Sequence, residues 1–152
     1  MFHFEEGEVF LIDKPLDWTS FDAVNLIRSV IKRYHGIRKL KVGHAGTLDP
    51  LATGLLIICT GRMTKKIDTF QAQEKVYTGT MLLGQTTPTF DMESEADASY
   101  PTDDITIEMM EEARKTFIGD IMQRPPKFSA IKINGKRAFD YARSDEEIAL
   151  KE

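Results

Sequence analysis

The stretch KVGHAGTLDPLATGLL, residues 41–56, packs Gly43, Gly46, Gly54, a histidine and an Asp-Pro step into one loop and the start of an apolar run. Its reading decides what lies on either side. The run LLIIC, 55–59, is short enough for a buried strand and is closed by Gly61. Upstream, EVFLIDKP predicts a strand over Val9–Ile12, stopped by Pro15, whose ring removes a ladder donor. Next, WTSFDAVNLIRSVIKRYHG carries helical spacing, with Phe21, Val24, Ile27, Ile31 and Tyr34 on one stripe. Thr19 or Ser20 can cap that helix, Asp22 suits its first turn and Gly36 its end.

Downstream, TKKIDTFQAQ suggests a short helix and KVYTGTMLLG alternates like a half-buried strand. QTTPTFDMESEADASYPTDD has no period and many turn formers, so it reads as a loop. ITIEMMEEARKTFIGD returns to helical spacing, with Ile107, Met110, Ala113 (or Arg114) and Phe117 on one side and Gly119 as its stop. Asn134-Gly135 marks a two-residue turn between FSAIKI and KRAFDYAR. Strands interspersed with helices, and hairpin-like connections, give an α+β class with a mixed, largely antiparallel sheet and flanking helices.

At 152 residues, 41% apolar and 29% charged, the chain is one soluble globular domain or part of one. It has no apolar run of membrane-spanning length, and its acidic start, MFHFEEGE, lacks the order of a secretory signal. Cys59 is the sole cysteine, which excludes a disulfide framework and makes a reducing cytoplasm the default location. The net charge of −4 hides a partition. Between Arg28 and Lys66 nine bases face one acid, Asp49, and from Ile121 to Arg143 six bases face only Asp140. The stretch Asp91–Asp120 is the reverse, ten acids against Arg114 and Lys115. Binding follows the local field rather than the sum. A single charge run is most simply a solvated face, and cations suit the end of a helix, but two basic blocks shift the balance toward a polyanion partner.

Within the loop, GHAG matches the G-x-x-G that clamps nucleic-acid backbone, a four-letter signal of low specificity. No G-K-[ST] follows, and His3, His35, His44, Cys59 and Asp49 show no metal-ligand spacing, so no metal is expected. Asp followed by Pro suits a helix N-terminus, with Asp49 as cap and Pro50 at the first helical position. On spacing alone that reading outweighs catalysis. His44 alone is more often a turn residue bonding the backbone than a base.

The block GHAGTLDPLATGLL, followed by GRMTKKID, resembles the signature of the TruB family of tRNA pseudouridine synthases, which act on the T-loop uridine at position 55. The likeness continues in LIDKPLDWTSFDAV, KVYTGTMLLGQTTPTFD and GDIMQRPPKFSAIKINGKRAFDYAR, from about Glu8 onward. The resemblance implies a pseudouridine-synthase-like catalytic domain over 1–123 and an RNA-binding, thumb-like segment over 124–152. It puts Asp49 at the nucleophile's position and His44 where a histidine fills the space left by a flipped base. Tyr77 falls on a tyrosine that packs against the uracil and can help remove the C5 proton. Asp91 falls on an aspartate paired with an arginine, and Lys65 on a basic position. Gly43 belongs to the loop, while Arg28, Lys41, Lys132 and Arg143 stand in the basic blocks as contacts for the T-arm of tRNA.

Isomerising uridine breaks the N-glycosidic bond and joins C5 to C1′, so the implied chemistry uses no cofactor. It needs a carboxylate that attacks C1′ or C6 and later leaves, and an acceptor for the C5 proton. The family's later half supplies a Tyr-Ile-Arg arginine and further strands, for which no counterpart stands here. A truncated catalytic domain, weak or inactive by itself, is therefore expected. Two other functions remain open: a non-catalytic RNA-binding module in which Asp49 only caps, and a protein-interaction domain using Asp91–Asp120. Tyr77 reads equally as a half-buried strand aromatic, and Asp91 as a loop acid.

Overall fold

The computed structural model describes residues 2–126, 132, 133, 135–138, 141 and 144. The chain divides into two units, Met1–Thr78 and Gly79–Glu152. In the first, strand β1 (Val9–Lys14), helix α1 (Ser20–His35), strand β2 (Val42–His44) and strand β3 (Gly54–Thr60) lead into a 3₁₀ turn, Gly61–Lys66, and helix α2 (Ile67–Gln71). The sheet order is β1-β3-β2, antiparallel throughout. Phe10 pairs with Ile58, Ile12 with Leu56 and Lys14 with Gly54, so these positions share one face. Against it α1 lays Ala23 and Val24, which form the buried core with Leu56 and Ile58, flanked by Phe10, Ile12, Trp18, Ile27, Val42 and Leu48.

Strand β1 runs two residues past the predicted Ile12. Polar Asp13 and Lys14 end the apolar run, yet Lys14 keeps the alternation and is fully buried. Helix α1 begins where expected: Thr19 accepts from the Asp22 N–H and Asp22 reaches back to the Thr19 N–H, a reciprocal capping box. Hydrogen bonds from the Thr19 hydroxyl and backbone hold the Asp22 carboxyl below the usual carboxylate range. That contribution to stability is present above the ordinary carboxylate pKa and is lost as pH falls through the depressed one. Gly36, at φ 70, closes the helix.

The predicted stripe is correct only at its centre. Val24 and Ile31 are buried, whereas Phe21 and Tyr34 are exposed. The buried arc instead begins at Ser20 and Ala23, and the two aromatic rings lie under the Arg28 and Arg33 guanidiniums, at 5.9 and 5.6 Å. Cys59 is buried, and burial pushes its thiol up, as suits a small hydrophobe. The predicted strand in KVYTGTMLLG does not form. Residues 74–82 are exposed coil leading into a turn at 83–84, because alternation makes a strand only where a neighbouring strand completes the ladder, and none among the described residues does.

The N-terminal turn locks onto the 3₁₀ turn. A Cβ at Gly61, whose φ is +50, would lie 2.2 Å from the Glu5 carbonyl oxygen and 2.4 Å from that of Phe4. Both obstacles are backbone. Gly61→Ala should therefore lower the unfolding free energy by about 2 kcal/mol or more, read as a shifted urea midpoint.

In the second unit, β4 (Gln85–Thr86) pairs with β5 (Ala98–Ser99) inside the expected loop. Helix α3 (Ile107–Lys115) is capped by Thr106 and ends at Thr116, before the predicted Gly119. Its expected apolar side stays uncovered, with Ile107, Met110 and Phe117 exposed. Arg114 and Lys115 pair with Glu111 and Glu112 one turn back. β6 (Lys132–Ile133) pairs with β7 (Lys136–Arg137), giving the hairpin expected around Gly135, whose φ is 85. Asn134 and Arg143 lie outside the described residues, as does most of 124–152. Among the described residues, no helix is long and apolar enough to cross a membrane.

Candidate active site

Asp49 does not cap a helix. The Ala52 N–H donates to the Asp49 carbonyl at 3.0 Å, closing a four-residue turn with Pro50 in its second position. Asp and Pro favour those two places in a β-turn as much as they favour a helix start. The turn wins because β3 opens at Gly54, held in register opposite Lys14, which leaves no length for a helix. The Asp49 side chain is exposed, and among the described residues nothing donates to its carboxylate.

The backbone around it is held from both sides. Before the aspartate, the buried Ser20 hydroxyl accepts from the Leu48 N–H at 2.9 Å and approaches the Leu48 carbonyl at 3.1 Å. After it, the Pro50 carbonyl accepts from the Asp17 N–H at 2.9 Å and lies 3.5 Å from the Lys14 ammonium. Lys14 also donates to the carbonyls of Trp18 (2.6 Å) and Pro15 (2.9 Å). It forms no salt bridge among the described residues; carbonyl dipoles solvate this buried cation, and the Asp22 carboxylate attracts it at longer range. Ser20 and Lys14 were not legible as site residues. The signals were there: Lys14 continues the β1 alternation, and Ser20 is spaced to extend the buried arc of α1.

His44 closes β2 opposite Ile58, and its Nδ1 lies 2.6 Å from the Gly46 carbonyl oxygen. A carbonyl only accepts, so Nδ1 is the donor in this contact. Gly46 turns at φ +102, a value favouring glycine. Gly43 lies in β2, where a Cβ would meet the Ile67 Cδ1 at 2.9 Å, the flexible end of a side chain.

A cleft of about 720 Å³ opens along this loop, lined by Leu48 and Leu51 on either side of the Asp49-Pro50 step and also by Phe70, Val76 and Tyr77. Its size suits a small ligand. Tyr77 is exposed and lines the cleft; His44 and Asp49 stand beside the lining rather than in it. Lys41 and Lys65 are exposed, and among the described residues none of the bases from Lys32 to Lys66 forms an ion pair. Arg28 is different, since it bonds Asn25 and the Val42 carbonyl and fastens α1 to β2. Asp91, in the second unit, accepts through its carboxylate from Thr89 and the Glu93 N–H.

Fold and site together define an α+β domain that presents a carboxylate from a braced turn beside a ligand-sized cleft. Comparison with known families places it further: residues 32–152 match the model described as TruB family pseudouridylate synthase (N terminal domain), and the chain belongs to that family. It is 60% identical over 149 residues to the tRNA pseudouridine synthase B of Phocaeicola vulgatus, covering 98% of this chain and 63% of that protein. The same-named protein of Parabacteroides distasonis is 58% identical over 148 residues, covering 97% and 63%. That of Flavobacterium johnsoniae is 53% identical over 146 residues, covering 95% and 64%. The chain thus spans less than two thirds of the length of these relatives.

Proposed function

We propose that this chain carries the nucleophile-bearing part of a tRNA pseudouridine synthase that isomerises the T-loop uridine at position 55. The observation behind this reading is the Asp49 carboxylate, exposed, without a donor among the described residues, and presented by a turn braced on both flanks. Asp49 attacks the nucleotide at C1′ or C6 and leaves once C5 has bonded to C1′. A stacked base is out of reach, so the uridine everts, and the His44 ring and the cleft surface of Tyr77 compensate lost stacking. Tyr77 also serves in removing the C5 proton, while Asp91 holds the position of the family's arginine-paired aspartate, whose arginine has no counterpart in this sequence. Lys41, Lys65 and the other cations of the first basic block hold backbone phosphate, joined by Gly43 in the loop and by Arg28, whose fastening role leaves its charge in the same field. Residues 124–152, with Lys132 and Arg143, act as a thumb over the T-arm. The buried thiol of Cys59 suits a reducing cytoplasm.

C5 loses its hydrogen in the product, so a T-arm RNA tritiated at uridine C5 should release label to water. Label retained while the RNA binds would favour the second reading, an RNA-binding module without catalysis. Tyr77→Phe separates surface from hydroxyl. The exposed ring survives, stability is unchanged, and tritium release falls by about 10²-fold if the hydroxyl handles the proton.

A further inference from the structure

We infer that Ser20 is a positioning residue for Asp49, an inference that rests on the proposed carboxylate chemistry. Its hydroxyl is nine-tenths or more buried and both donates to and accepts from one residue, Leu48. The Leu48 N–H lies in the Thr47–Leu48 peptide plane and the Leu48 carbonyl in the Leu48–Asp49 plane, so one oxygen atom holds both planes leading into the aspartate. The next two carbonyls are held as well, that of Asp49 by the Ala52 N–H and that of Pro50 by the Asp17 N–H. The Asp49 Cα is therefore set by backbone bonds on each side while its carboxylate has no donor among the described residues. A nucleophile aimed by its backbone keeps its own acceptor capacity for the substrate.

Ser20 does this from the first residue of α1, the helix that packs on the sheet, so the loop inherits the rigidity of the core. Its place 28 residues from Leu48 makes the contact a tertiary one. The Ser20 hydroxyl does not cap α1, since Thr19 and Asp22 fill that role. Helix stability and loop placement are thus separable by mutation.

The test compares Ser20→Ala, Ser20→Cys and Thr19→Ala in the whole protein, using T-arm RNA tritiated at uridine C5 and amide exchange at Leu48. Ser20→Ala should expose the Leu48 amide to exchange and lower kcat by about 10²-fold, the cost of misplacing a reacting group by about 1 Å, with KM unchanged. Ser20→Cys keeps a weak donor and should fall between; it carries the same prediction should the alanine variant not fold. Thr19→Ala should lower Tm by weakening the cap and leave kcat and the Leu48 amide alone. A Ser20→Ala protein with wild-type kcat, or a kcat loss matched by Thr19→Ala, overturns the inference. A wild-type protein that releases no tritium overturns the enzymatic reading itself, and this inference with it.

Discussion

Asp49→Asn should abolish turnover and leave the fold as it is. The amide keeps the size of the side chain and its fitness for the first position of a β-turn, where Asn and Asp are both favoured. No hydrogen bond to the Asp49 carboxylate is lost among the described residues, because none is made. Exposed substitutions of this kind change stability by about 0.5 kcal/mol or less. Removal of a catalytic nucleophile costs on the order of 10³ to 10⁶ in kcat. The two effects differ so widely that tritium release and a denaturation curve on one variant decide the matter. Full turnover by Asp49→Asn would end the nucleophile assignment, and RNA binding should persist in either case.

The largest change in stability should come from Lys14→Met. Lys14 is the largest of the fully buried side chains, and its ammonium bonds the carbonyls of Pro15 and Trp18. Methionine fills similar volume but donates nothing. Each bond from a charged donor contributes about 1.5–3 kcal/mol, offset in part by release from burying the cation. The Pro50 carbonyl keeps its bond from the Asp17 N–H. A net loss of about 2–4 kcal/mol is expected in urea denaturation. Unchanged stability would show that desolvation of the ammonium cancels its carbonyl bonds. Turnover should fall less than in Asp49→Asn, because the turn retains its Ser20 and Asp17 anchors.

These two positions show how far local pattern carries. The Asp-Pro step has two good local solutions, a capped helix and a tight turn, and spacing favours the helix. Asp13 and Lys14 end the apolar run at Ile12, although a period of two continues through Lys14. At Phe21 and Tyr34 helical spacing assigned to the core two rings that lie exposed under arginines. In KVYTGTMLLG the alternation is present and the partner strand is not.

Read alone, the amino-acid sequence determined what depends on neighbours a few residues apart: a helix start at Thr19 or Ser20, the stop at Gly36, the strand around 55–59, the turn at Gly135 and the family block around Asp49. Tertiary structure decided what depends on distant partners. Ser20 reaches Leu48 across 28 positions, and Lys14 reaches Pro50 across 36. A local pattern sets which conformations are cheap. Long-range hydrogen bonds and sheet register select among them, and here they turned a cap into a braced, exposed carboxylate.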